Sequence, residues 1–134
     1  MSEKQKLLIV DDSELNRDIL KEILGSSYDY LEAENGTQAI QILEVHPEID
    51  LMLLDINMPQ MNGFQVLEHM RELQWIDEIP VVMISSEESV EIMRKAYDLG
   101  ITDYISRPFD AVIVKKRVQN TLGLYANQKR LINV

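Results

Sequence analysis

The chain has 134 residues, of which 46% are apolar and 27% are charged, and its formal net charge at pH 7 is −10. This composition is typical of one globular domain with a core, and the absence of cysteine excludes disulfides, thiolate metal sites and a cysteine nucleophile. No apolar run approaches the length of a membrane span, and the polar N-terminus MSEKQK lacks the apolar segment of a signal peptide. We therefore expect a cytoplasmic protein with no membrane partner.

In chain order, short apolar runs alternate with segments of helical periodicity. The predicted elements are a strand at 6–10, a helix at 13–24, a strand at 28–33, a helix at 35–46, a strand at 49–55, a helix at 63–73, a strand at 79–85, a helix at 89–100, a strand at 102–106 and a helix at 110–131. In the first helix, Leu15, Leu20 and Leu24 belong to the apolar face that is predicted to point inward.

Five strand–helix units predict an α/β fold, a doubly wound five-stranded parallel sheet with helices on both faces. We expect strands 1, 3, 4 and 5 to lie side by side. Ligands of such sheets bind beyond the carboxyl ends of the strands, so polar residues that directly follow a strand are the candidate site.

The charge is unevenly distributed. All 23 acidic residues lie in residues 1–110, whereas residues 111–134 carry five basic residues and no acidic one. The acidic body argues against direct nucleic-acid binding by this domain. Two interpretations of the basic tail stay open: favourable placement near a helix C-terminus, or a docking surface for an acidic partner.

Polar residues follow four of the five predicted strands. They are Asp11 and Asp12, Asp55 and Asn57, Ser85 and Ser86, and Arg107. Three carboxylates at one edge of a sheet repel each other, and a hard cation such as Mg²⁺ is the usual compensation. With a cation bound, Asp55 would stay ionised and could attack a phosphoryl group, whose oxygens Ser85 and Arg107 would contact. The set therefore predicts phosphoryl transfer to a carboxylate nucleophile.

Each of these residues also has a purely structural explanation. A helix cap would account for Asp12, Ser13, Ser85 or Ser86, a turn for Asp55, and a surface charge for Arg107. Their common position at one edge of the sheet favours a functional site over these separate explanations.

The motifs resemble the receiver domain of bacterial two-component response regulators. The matching stretches are DD after the first strand, LLDINMPQMNG around the third, PVVMISS at the fourth and DYISRPF at the fifth, and the match covers about residues 6 to 124. The resemblance implies a flavodoxin-like sheet of order 2-1-3-4-5 and a receiver domain at residues 1–124. It also implies a signalling module, not an enzyme, which catalyses at most its own phosphoryl transfer and hydrolysis.

The resemblance assigns roles at the acidic edge. It implies that Asp55 is the phosphoacceptor and that a histidine kinase or a phosphotransfer protein is the donor. It implies that Asp12, Asp55 and the backbone carbonyl of Asn57 bind Mg²⁺ directly, and that Asp11 acts through water.

The resemblance also implies a switch that reads the phosphoryl group. Ser85 matches the hydroxyl residue that moves toward the phosphoryl group, with Ser86 beside it, and Tyr104 matches the aromatic residue that turns inward behind it. Arg107 stands where the family normally has lysine, so a planar fork replaces a compact point charge beside the phosphoryl group. The Arg107–Pro108 bond is expected to be cis.

Alternatives remain open for function and for assembly. One alternative is a receiver that binds partners without phosphorylation. An aspartyl phosphatase of the haloacid dehalogenase type is disfavoured, because that family carries a DxD pair after its first strand, whereas here Asp11 and Asp12 are adjacent and the candidate nucleophile Asp55 follows the third strand. Residues 125–134 are predicted to be a helical extension, either a linker to an output domain or the end of a stand-alone receiver. A coiled-coil spacing is formed by Val118, Leu122, Tyr125, Lys129 and Ile132. A homodimer through the fourth helix, fifth strand and fifth helix is a further hypothesis.

Overall fold

The computed structural model describes residues 4–59, 61–86 and 89–132, with side chains described to residue 125. Strands and helices alternate in the order β1 (Gln5–Val10), α1 (Glu14–Leu24), β2 (Tyr28–Ala33), α2 (Gly36–Val45), β3 (Leu51–Asp55), α3 (Gly63–Glu72), β4 (Val81–Ser85), α4 (Val90–Asp98), β5 (Asp103–Ser106) and α5 (Ala111–Ile132). Every predicted element is present, and no bound differs from the prediction by more than two residues.

The five strands form one parallel sheet of order β2-β1-β3-β4-β5. This order confirms the predicted doubly wound, flavodoxin-like fold. The chain reverses its winding direction between β1 and β3, which lie next to each other in the sheet. A ligand site is expected at the carboxyl ends of these two strands.

Alternate residues of each strand enter two separate cores, one on each face of the sheet. On one face, Leu8 and Leu54 pack with residues of α2, α3 and α4. On the other face, Ile9 and Leu53 pack with residues of α1 and α5. All five residues of β3 and of β4 are buried, as the continuous apolar runs predicted, because helices cover both faces.

The inward face of α1 differs from the prediction. Leu20 and Leu24 are buried as expected, but Leu15 is 68% exposed, and Arg17 is buried. The apolar spacing alone suggested that Leu15 would point inward. The buried stripe consists of Arg17, Leu20 and Leu24, which share one face of the helix, and Leu15 lies off this stripe.

The last helix runs without a break from Ala111 to Ile132. Val118 and Leu122 pack in the core on the α1 side of the sheet, so they cannot also belong to a free coiled-coil seam. Of the predicted seam, the side chains of Lys129 and Ile132 lie outside the described residues. None of the helices, within the part of the chain that the structure describes, combines the length and apolar character needed to cross a membrane.

Candidate functional site

The register of the sheet brings the candidate residues to one edge. Val10 pairs with Leu54, so the next residues, Asp11 and Asp55, end neighbouring strands side by side. The following loops complete this edge: the amide of Asp11 donates to the carbonyl of Ala33 on β2 (3.1 Å), and the amide of Arg107 donates to the carbonyl of Ser85 on β4 (2.9 Å).

Three carboxylates meet at this edge. Asp11, Asp12 and Asp55 each place one oxygen within 4.8 Å of the others. Asp11 and Asp55 are 0% and 1% exposed, whereas Asp12 is exposed. Burial, and after it the charge of Asp11, raises the pKa of Asp55 to about 6. Burial is also the main cause of the raised pKa of Asp11.

This carboxylate cluster suits a hard divalent cation. The buried Oδ2 of Asp11 has no hydrogen-bond partner, which is costly for an oxygen removed from water. All the ligand atoms of the cluster are oxygens, which Mg²⁺ prefers, whereas zinc sites commonly use nitrogen and sulphur ligands. Together, the converging oxygens and the unsatisfied Oδ2 fit a magnesium ion.

Arg107 reaches the cluster from the loop after β5. Its Nη2 donates to Oδ1 of Asp55 at 2.9 Å, and its Nη1 lies 3.6 Å from Oδ2 of Asp11. The guanidinium therefore spans two carboxylates, which its planar fork allows and a single ammonium group does less readily. Arg107 lowers the pKa of Asp55, but burial has the larger effect and the pKa stays raised. The Arg107–Pro108 peptide bond is cis.

The turn after β3 accounts for the abrupt change from LLD to a segment rich in Pro and Gly. The amide of Asn57 donates to Oδ1 of Asp55 at 3.3 Å, and the amide of Gly63 donates to the carbonyl of Ile56 at 2.9 Å. A Cβ at Gly63 would lie 2.7 Å from the carbonyl oxygen of Asp55 and 2.9 Å from Cα of Ile56. Only glycine allows α3 to begin this close to the end of β3.

Asn62 then starts α3 with a capping box. Its side chain accepts from the amide of Gln65 at 3.0 Å, and the Gln65 side chain accepts from the amide of Asn62 at 2.8 Å. The backbone is thereby fixed immediately after the loop that carries Asp55 and Asn57.

The structure separates the capping residues from the cluster. Ser13 caps α1 by accepting from the amide of Asn16 at 3.2 Å, so Asp12 remains available to the cluster. Ser89 occupies the N-cap position of α4, which removes the capping explanation for Ser85 and Ser86.

The predicted switch residues lie on β4 and β5, where Ser85 ends β4, Ser86 follows it and Tyr104 is the second residue of β5. Ser85 is fully buried, Ser86 is exposed and Tyr104 is 3% exposed. Tyr104 packs in the core on the α2–α4 side of the sheet, so its ring points inward in this conformation. Arg117 of α5 donates to the carbonyl of Tyr104, joining α5 to β5.

Arg17 is a residue of this region that the sequence interpretation missed. Its Nη1 donates to the carbonyl of Asp11 at 2.6 Å, and its Nε donates to Glu32 of β2 at 3.0 Å. The available signal was its place one turn before Leu20 and two turns before Leu24 on the buried stripe. A charged residue on that stripe needs specific partners.

Comparison with known proteins identifies the family. The family model of the response regulator receiver domain matches residues 7–119. Chemotaxis protein CheY1 of Helicobacter pylori is 35% identical over 120 residues, covering 88% of this chain and 97% of the relative. A protein of Vibrio cholerae named "Probable cyclic di-GMP phosphodiesterase" is 33% identical, but the match covers 95% of this chain and 29% of that protein.

Among solved structures, chemotaxis protein CheY4 of Vibrio cholerae aligns with a TM-score of 0.81 at 27% identity, covering 89% of this chain and 99% of that one. An alignment of this quality over nearly all of both chains shows that they share one fold. Receiver domains act as signalling modules within two-component systems. The chain belongs to the response regulator receiver domain family.

Proposed function

We propose that Asp55 accepts a phosphoryl group from a histidine kinase or a phosphotransfer protein. The observation that carries this proposal is the environment of its carboxylate. Asp55 is buried beside two further carboxylates and is held by a guanidinium at 2.9 Å. A lone structural aspartate at a strand end would not need this convergence of groups.

In this proposal Mg²⁺ is held by Asp12, Asp55 and the backbone carbonyl of Asn57, with Asp11 acting through water. When bound, the ion supplies positive charge that offsets the carboxylates and the incoming phosphoryl oxygens. The unsatisfied Oδ2 of Asp11 supports the ligand set, because a water held there would satisfy it.

The transfer step uses an oxygen of Asp55 as the nucleophile. That oxygen forms a bond to phosphorus while the phosphorus–nitrogen bond of the donor histidine breaks, and the electron pair of that bond returns to the imidazole. Arg107 holds Oδ1 of Asp55 and supplies positive charge beside the phosphoryl oxygens. Hydrolysis by water reverses the modification.

Phosphorylation of Asp55 would act as a signal through the negative charge that it adds to the site. Phosphorylation adds about −1.5 to −2 charge and three acceptor oxygens. In this proposal Ser85 and Ser86 offer hydroxyls to these oxygens, and Tyr104 links the change to the face formed by α4, β5 and α5. An output domain or a second copy of the chain would read this face.

A second candidate is a receiver that binds its partners without being phosphorylated. The observation that favours it is Arg107 in place of the family's lysine, because its guanidinium already occupies two carboxylates. The intact carboxylate cluster favours phosphorylation.

The test is intact mass after incubation with Mg²⁺ and acetyl phosphate. We expect a single phosphoryl adduct in the wild type and in a control, Asp77→Asn, which changes an exposed aspartate. We expect no adduct in Asp55→Asn or when the metal is chelated. An adduct that persists in Asp55→Asn would refute Asp55 as the acceptor. A wild type that binds Mg²⁺ but gains no adduct would favour the partner-binding alternative.

A further inference from the structure

Arg17 is the only buried basic residue among those that the structure describes with side chains, and it is 7% exposed. Basic side chains are seldom buried, because removing a guanidinium from water is costly unless its donors are satisfied. The burial of this charge therefore needs a reason, and its two hydrogen bonds indicate one.

The two hydrogen bonds join three elements. Nη1 donates to the carbonyl of Asp11 at 2.6 Å, and Nε donates to Oε1 of Glu32 at 3.0 Å. The carbonyl of Asp11 is the first peptide oxygen after β1, while Glu32 lies on the edge strand β2. The guanidinium thus fixes the start of the β1–α1 loop to a helix and to a neighbouring strand.

That loop carries two of the three carboxylates of the cluster. Within the loop, the amide of Ser13 donates to Oδ1 of Asp11 at 2.9 Å. This hydrogen bond depends on the orientation of the peptide group that follows Asp11, whose carbonyl Arg17 holds. Because Arg17 contacts the peptide and not the carboxylate, it leaves the ligand oxygens free. Contacts of this indirect kind commonly change metal affinity by about 10–100-fold when removed.

We propose that Arg17 is a positioning residue for the cation site, which fixes the β1–α1 loop through the Asp11 carbonyl so that Asp11 and Asp12 stay within reach of Asp55. The proposal rests on the proposed function in one respect, that a divalent cation binds the carboxylate cluster. It does not depend on phosphorylation.

Lys21 provides a matched control on the same helix. Its ammonium group donates to Oε2 of Glu32 at 3.0 Å, so it shares one partner with Arg17. Lys21 lies one turn further along α1, and its ammonium group contacts Glu32 and Asp18. Replacing Lys21 removes a positive charge from the same network and leaves the Asp11 carbonyl bond intact.

The experiment is a titration of the full chain with Mg²⁺ alone, followed by calorimetry and by amide NMR, in the wild type, Arg17→Met and Lys21→Met. We expect Arg17→Met to weaken Mg²⁺ binding by about tenfold and to shift the amide signals of Asp12 and Ser13 before metal is added. We expect Lys21→Met to leave the affinity within about twofold of the wild type, since exposed ion pairs contribute little.

Arg17→Lys keeps the test falsifiable if Arg17→Met does not fold. A lysine ammonium keeps the charge but lacks the fork, and it will favour the carboxylate of Glu32 over the peptide oxygen. We expect a loss of affinity of about threefold or more. Unchanged affinity in a folded Arg17 variant, or an equal loss in Lys21→Met, would overturn the proposal.

The readouts separate this inference from the proposed function. Failure of acetyl phosphate to modify Asp55 would leave the Mg²⁺ titration untouched. A wild type that binds no Mg²⁺ would refute the metal step of the proposed function, and in that case unshifted amides of Asp12 and Ser13 in metal-free Arg17→Met would refute the positioning role as well.

Discussion

The ionised carboxylate of Asp55 is expected to destabilise the metal-free fold at neutral pH. Burial and the nearby charge of Asp11 raise its pKa from 3.8 to about 6, even with Arg107 in contact. This difference corresponds to ~3 kcal/mol between the folded and unfolded states. Because Asn is similar in shape to a protonated Asp, Asp55→Asn should recover much of it, about 1–3 kcal/mol.

The direction of the pH dependence follows from the raised pKa. Protonation of Asp55 favours the folded state, so its contribution is fully present below about pH 4 and is lost as the pH rises through about 6. The advantage of Asp55→Asn should therefore be largest at about pH 7.5 and should disappear near pH 4. Other groups titrate in both proteins, and their effects cancel in the difference.

Urea denaturation in chelator, followed by circular dichroism, measures this difference. Asp77→Asn, at an exposed position, is the control and should match the wild type at both pH values. Added Mg²⁺ should stabilise the wild type more than Asp55→Asn, because the variant lacks a ligand. A variant that is less stable than the wild type at about pH 7.5, or an advantage that does not change with pH, would refute the reasoning.

Two other predictions follow from the same edge of the sheet. Gly63→Ala should lower the free energy of unfolding by about 1–3 kcal/mol, because the added Cβ would lie 2.7 Å from the Asp55 carbonyl oxygen. The control Gly123→Ala, whose Cβ would have no atom within 4 Å, should raise the free energy of unfolding by up to about 1 kcal/mol. Urea denaturation of the two variants tests this, and equal effects would contradict it. Arg107→Gln should lower the stability of the metal-free protein by about 2 kcal/mol or more, because two buried carboxylates lose their cation. Mg²⁺ should offset more of the loss in Arg107→Gln than in Gly63→Ala, which a denaturation series with increasing Mg²⁺ would show.

The fold was predictable because its signals are local and repeated. The apolar runs at 49–55 and 79–85 specify strands that are buried on both faces, and the alternation with helices leaves few alternatives to a parallel sheet. Topology then places every strand end at one edge. The meeting of Asp11 with Asp55 follows from adjacent strands in register, and no knowledge of side-chain geometry was needed for it.

Features that depend on side-chain geometry were not predictable in the same way. Periodicity treats a charged residue as outward, so it placed Leu15 in the core and left out Arg17. The hydrogen bonds that make burial of Arg17 tolerable join residues 6 and 15 positions away. Arg107 likewise contacts two carboxylates at distances that cannot be read from the spacing of residues along the sequence.

The contacts of Arg17 and Arg107 at the carboxylate cluster indicate why a bound cation is needed there. Arg17 reaches it from α1 through the backbone of Asp11, and Arg107 reaches it from the β5–α5 loop through the carboxylates. Arg107 only partly compensates the site, because burial and the charge of Asp11 keep the pKa of Asp55 raised to about 6. A phosphoryl group brings further negative charge to this under-compensated edge. We therefore expect a divalent cation to be required before the donor can transfer its phosphoryl group to Asp55.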